Sequence, residues 1–214
     1  MELGFYRFAN KEPNKLAIVG PNEELVSRGE LLSKANKLTH ALRDLGLKKF
    51  DTVAVVLPNS VEYFVVYMAC LQAGFYLVPI NWHLAGPEIA YILEDSEAKA
   101  FIASGKNPDM EKACINAVSE ISFDKKGCIT IDELEGFRHI DDFTKSMPDE
   151  NPHDRSAGQV MNYTSGTTGK PKGVKRNLVE GDPDDVLSLF AMIFSFYNIQ
   201  PEDENVHICL LYTS

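Results

Sequence analysis

The chain has 214 residues, 44% hydrophobic and 24% charged, a composition that supports a folded core and excludes a chain disordered throughout. That length suits one large domain, or one domain and part of another. With 31 acidic against 21 basic residues the formal net charge is -10, the wrong balance for neutralising a phosphate backbone, so no nucleic-acid partner is expected.

The first residues, Met-Glu-Leu-Gly-Phe-Tyr-Arg-Phe, lack the basic region, apolar run and cleavage site of a secretory signal. Cys70, Cys114, Cys128 and Cys209 are widely spaced and have no metal-site neighbours, which fits a reducing compartment. Both features point to a cytoplasmic protein. The histidines are equally scattered, and one such as His40 within a helical pattern reads as structural or solvated.

Ser27-x-x-Glu30 forms a capping box, and Leu31, Ala35, Leu38, Leu42 and Leu45 then recur at helical spacing up to Gly46. This predicts an amphipathic helix whose Lys34, Lys37, Arg43 and Asp44 face solvent. A valine-rich run over 52–57, closed by Pro58-Asn59, predicts a strand buried on both faces. Residues 61–72 follow as a helix. The apolar stretch there, 61–74, is interrupted by Glu62 and Gln72 and falls short of the ~20 residues of a bilayer span, so no transmembrane segment is expected.

Residues 75–80 repeat the strand signal, 87–94 give a short helix with proline in its first turn, and 99–103 give another strand. This βαβαβ alternation predicts the α/β class, a mainly parallel sheet flanked by helices on both faces. Residues 109–120 read as a further helix. Residues 123–155 are polar, with only short apolar runs such as 128–131, and 141–157 read as a connecting loop. A strand over 159–163 then runs into a glycine and hydroxyl cluster, and a helix with acidic residues in its first turn starts after Asp182. No internal repeat or low-complexity tract appears.

The last residues, Cys-Leu-Leu-Tyr-Thr-Ser at 209–214, match the translation of a sequencing-library adapter. They read as a non-native tail on a truncated frame.

The cluster at 164–173 reads Thr-Ser-Gly-Thr-Thr-Gly-Lys-Pro-Lys-Gly. Glycines let backbone N–H groups converge on an anion, hydroxyls add short donors, and lysines supply charge. It is not a Walker A loop: Gly166 and Gly169 are too close together, and Pro171 follows Lys170 where a hydroxyl residue is required. A flexible surface turn would share much of this composition. The preceding strand, and the concentration of Lys170, Lys172, Lys175 and Arg176 in an acidic chain, favour an anion site.

This run resembles the signature loop of the adenylate-forming superfamily, which includes acyl-CoA synthetases, luciferases and the adenylation domains of peptide synthetases. The segments Thr-Val-Ala-Val-Val-Leu-Pro-Asn-Ser from 52, Gly-Phe-Tyr-Leu-Val-Pro-Ile-Asn from 74 and Glu-Ile-Ala-Tyr-Ile-Leu-Glu-Asp-Ser from 88 resemble family segments in the same order. The resemblance covers roughly residues 3–207. It implies a partial N-terminal AMP-binding domain over 1–208 ahead of the tail at 209–214.

The resemblance further implies ATP-dependent activation of a small-molecule carboxylic acid, a fatty acid first, through an acyl adenylate to an acyl-CoA thioester. ATP, Mg2+ and coenzyme A would take part, in a longer protein of which these residues are half of a site. Thr164, Ser165, Gly166, Thr167, Thr168, Gly169 and Lys172 would contact the phosphates, with Lys170 solvated and no metal ligand or catalytic residue assigned. Many members carry a histidine in a Gly-Val-x-x-x-His stretch, where this chain has Gly-Val-Lys-Arg-Asn-Leu at 173–178. That departure resembles a bacterial acyl-CoA ligase subgroup. Trp82 and His83 fall in a family-like segment and read as loop aromatics packed on the core. Two alternatives stand beside the ligase: an adenylation domain loading a carrier protein, and a nucleotide-binding fragment without turnover.

Overall fold

The computed structural model describes residues 4–164 and 170–188. A short helix α1 (Phe5–Lys11) and a hairpin of β1 (Leu16–Val19) and β2 (Leu25–Ser27) open the chain. These pieces are too short to display a helical or strand period, and no element is predicted before Ser27.

Helix α2 (Arg28–Asp44) starts at the expected capping box: Ser27 Oγ accepts from the Glu30 N–H at 3.2 Å and Glu30 Oε2 from the Ser27 N–H at 2.8 Å. Leu31, Ala35, Leu38 and Leu42 are buried, as their spacing predicts. Strand β3 (Thr52–Val56) is buried along its whole length. Helix α3 (Val61–Ala73) is N-capped by Ser60 and ends where Gly74 takes the left-handed conformation, φ 76°. Strand β4 (Tyr76–Pro79), helix α4 (Gly86–Asp95), strand β5 (Ala98–Ala103) and helix α5 (Pro108–Glu120) complete the expected alternation.

Beyond α5 the structure departs from the expectation. Part of the polar stretch extends the sheet, as β6 (Cys128–Thr130) and β7 (Arg138–His139), and α6 (Ile140–Thr144) enters what reads as loop. Each is too brief to set a period, but Ile140 and Phe143, three positions apart, bury one face of α6 against α2. The apolar run at 159–163 is also two strands rather than one. β8 (Gln159–Val160) joins the sheet, while β9 (Asn162–Thr164) leaves it to pair antiparallel with β10 (Lys172–Val174). Met161 marks the division, its N–H donating to the Leu77 carbonyl at 2.8 Å. Helix α7 (Pro183–Ser188) ends the described residues and carries Asp184 and Asp185 in its first turn.

The main sheet is parallel throughout, in the order β7-β6-β5-β3-β4-β8. Because strand side chains alternate, Val53, Val55, Leu77 and Ile102 pack on α2 and α3, while Ala54, Val56, Val78 and Phe101 pack on α4 and α5. This is the α/β architecture expected, with helices on both faces. Among the described residues no helix is long and apolar enough to cross a membrane.

Candidate functional site

The phosphate-loop motif spans the β9–β10 hairpin. In register, Thr164 faces Lys172, Tyr163 faces Gly173 and Asn162 faces Val174. Thr164 and Lys172, the first and last of the proposed phosphate contacts, therefore stand opposite each other at one end of the hairpin, and both are exposed. Ser165, Gly166, Thr167, Thr168 and Gly169 lie outside the described residues.

Gly173 is glycine for a local reason. A Cβ there would come within 2.9 Å of Tyr163 Cζ and 2.2 Å of Met161 Cε, so the Tyr163 ring lies across the space that a side chain would fill. The ring ends in a hydroxyl that donates to Asp95 Oδ2 on α4 at 2.7 Å. Burial, then the Asp95 hydrogen bond and charge, push the Tyr163 phenol far above its ordinary range, so it keeps its proton to donate.

Across the hairpin, the Tyr91 hydroxyl of α4 lies 3.1 Å from the Pro171 carbonyl and 3.4 Å from Asp95 Oδ1. One proton serves one acceptor at a time, and the carbonyl is the nearer. Lys170 Nζ sits 4.9 Å from the Tyr91 ring centroid, and Lys175 Nζ 4.7 Å from that of Tyr76, both in cation–π range. The Tyr76 hydroxyl also donates to the Arg176 carbonyl at 2.6 Å. Two of the clustered cations are thus occupied by tyrosine faces. The Lys172 amine has neither a hydrogen-bond nor an ion-pair partner among the described residues.

A cavity of about 600 Å³ opens beside the hairpin, between α1, the second half of α3 and residues 174–186. Thr164 lies on its rim, but Tyr67, Met68, Leu71, Val160 and Leu178 make most of its wall apolar, unlike a polyphosphate site. Elsewhere, Trp82 stacks on His83 with ring centroids 3.5 Å apart and packs at the edge of the core, as a loop aromatic should. Arg43, expected to be solvated, instead pairs with Asp154 at 2.6 Å and ties the 145–157 segment to α2. Cys70, Cys114 and Cys128 are free and buried. Among the described residues no group of three or more His, Cys, Asp or Glu is placed to hold a metal ion.

Sequence reasoning missed Tyr91 and Asp95. Their spacing of four residues puts both on one face of α4, which was the available signal, although nothing local names the hairpin as their partner.

Comparison with known proteins finds that the family profile described as AMP-binding enzyme matches residues 5–178. The long-chain-fatty-acid–CoA ligase FadD13 of Mycobacterium tuberculosis is 32% identical over 170 residues, 78% of this chain and 32% of that protein. The fatty acid–[acyl-carrier-protein] ligase ScoC of Streptomyces coeruleorubidus is 32% identical over 173 residues, 78% of this chain and 30% of that protein. The crystal structure of ATP-bound MatB from Rhodopseudomonas palustris superposes with a TM-score of 0.67 at 25% identity, covering 93% of this chain and 38% of that one. The chain thus spans about a third of the length of the curated relatives it matches.

Proposed function

The chain belongs to the AMP-binding enzyme family, and on that premise we propose that the whole protein carrying it activates a fatty acid with ATP and transfers the acyl group to coenzyme A. In the first step a carboxylate oxygen bonds to the α-phosphorus while the bond to pyrophosphate breaks, leaving an acyl adenylate. In the second the thiol sulfur of coenzyme A attacks the acyl carbonyl, AMP leaves, and the thiol proton passes to a base or to water.

The observation that supports this reading is the pairing of Thr164 with Lys172 across the hairpin. It puts a hydroxyl, and an ammonium with no partner among the described residues, on either side of the segment that contains Ser165, Gly166, Thr167, Thr168 and Gly169. Such donors would hold the β- and γ-phosphates and stabilise the charge that builds on them as they become the leaving group. Lys170, drawn onto Tyr91, is the lesser contributor. Mg2+ would arrive on the nucleotide, since among the described residues no cluster of His, Cys, Asp or Glu is placed to hold it.

A carrier protein as acyl acceptor is the second reading, favoured by ScoC, whose name gives that acceptor and whose identity to this chain equals that of the CoA ligase.

The test is acid-dependent exchange between pyrophosphate and ATP by the whole protein, over a panel of fatty and aromatic acids. Exchange with a fatty acid, followed by thioester formation with coenzyme A, is expected; no exchange with any acid would sink the reading. Lys172→Ala should lower exchange on the order of a hundredfold, and full retention would remove Lys172 from its role. The 214 residues alone are expected to be inactive, because they span only about a third of such enzymes.

A further inference from the structure

The β9–β10 hairpin has three residues a side, too short to be stable alone in water. What fixes it must come from outside. Two side chains of α4 reach both of its limbs. Asp95 accepts from Tyr163, the residue just before Thr164, at 2.7 Å. Tyr91 donates to the carbonyl of Pro171, the residue just before Lys172, at 3.1 Å, and offers its ring face to Lys170. Each contact lies one position from a proposed phosphate contact.

Asp95 is also locally misplaced. It stands beside Glu94 in the last turn of α4, which holds no basic residue, and a negative charge there opposes the helix dipole. Helix stability therefore gives no reason for an acid at this position, whereas the Tyr163 hydroxyl does.

We propose that Asp95 and Tyr91 form a two-sided clamp on the β9–β10 hairpin, and that they are positioning residues which hold Thr164 and Lys172 at the spacing that ATP phosphates require. The inference rests on the proposed function. The clamp acts on nucleotide rather than acid, because both its contacts adjoin the phosphate-facing positions.

The experiment compares Asp95→Ala, Asp95→Asn and Tyr91→Phe in the whole protein. Asp95→Ala should raise KM for ATP about threefold to tenfold, the fold-change that one lost hydrogen bond confers. KM for the acid should stay within about twofold. Asp95→Asn keeps an acceptor for Tyr163 and should recover most of the loss. Tyr91→Phe keeps the ring under Lys170 and should give the smaller effect. An unchanged KM for ATP in Asp95→Ala, or equal rises for ATP and acid, overturns the proposal. Amide hydrogen exchange in the paired strands 162–164 and 172–174 decides it independently of turnover: Asp95→Ala should speed exchange there, and unchanged rates overturn the clamp. A protein with no pyrophosphate exchange would defeat the proposed function and leave this second measurement as the judge.

Discussion

Lys170 and Lys172 lie two positions apart in one motif, yet their surroundings divide them: Lys170 sits over a tyrosine ring while Lys172 heads a strand with no partner for its amine among the described residues. Side-chain environment, rather than residue type, sets what each group does. Cys128 shows the same dependence. It is buried, with Sγ 3.7 Å from the Asp124 carbonyl, and burial first, then the Asp124 charge against the opposing Lys125, pushes its thiol up to about 11. In an unfolded chain a thiol titrates near ~8.5. Between these values the unfolded state gives up a proton that the folded state retains, so this contribution is intact below the unfolded value and declines as pH rises towards the folded one. The thermal midpoint should therefore fall between about pH 8 and about pH 10, and Cys128→Ala should fall less steeply over that range. Identical slopes for the two chains would show that Cys128 plays no part. Slope is the telling quantity, because the cavity left by the missing sulfur lowers both ends of the curve alike.

At the scale of elements, legibility followed length. Helix α2 could be read from Ser27 to Gly46 because its cap and its apolar spacing are both local, and β3 because its apolar residues are contiguous. Strands β6 and β7 could not, since two or three residues cannot set a period and their partners lie in β5 and in each other. The hairpin register that brings Thr164 to Lys172 was likewise hidden, although every residue of the motif was visible. Gln72 combines both situations. It reads correctly as an interruption in a buried helix, but its partners lie on α2. Its Nε2 donates to Asn36 Oδ1 and Thr39 Oγ1, each at 2.9 Å, and Asn36 passes the connection on to the Asp149 carbonyl at 2.8 Å. The network joins α2, α3 and the 145–157 segment inside the apolar layer. Gln72→Met, which nearly keeps the volume, should destabilise the chain by about 1–2 kcal/mol in urea unfolding, because it strands two buried acceptors, offset in part by removal of Gln72 Oε1, which has no partner among the described residues. A loss under about 0.5 kcal/mol would mean that water or an alternative rotamer satisfies them.

Across the whole molecule, Arg155 joins segments from both ends of the described chain. Its guanidinium, 13% exposed, donates to Asp182 through Nε at 3.0 Å and Nη2 at 2.6 Å, reaches Asp184 at 3.1 Å, and lies 4.9 Å from the Tyr6 ring centroid of α1. Arg7 of α1 pairs with Asp185 of α7 at 2.8 Å beside it. Asp184 is the vulnerable member: its side chain is 3% exposed and its Oδ1 has no hydrogen-bond partner among the described residues. Burial raises its proton affinity, and the hydrogen bond and charge of Arg155 offset only part of that rise. Removing Arg155 would leave this carboxylate buried without its guanidinium. Arg155→Ala should cost about 3–5 kcal/mol near neutral pH, the penalty of breaking a buried pair from one side. The sign with pH follows from the raised affinity: protonated Asp184 favours the folded state, so the deficit should shrink as the solution is acidified. Asp184→Asn in the Arg155→Ala background should restore part of the loss, since it removes the stranded charge and keeps the shape. Urea unfolding of the four chains in that cycle gives the coupling directly. Additive losses would assign Arg155 its effect through Asp182 and the Tyr6 ring instead, and a deficit that grew on acidification would reverse the electrostatic account of how α1 and α7 are held together.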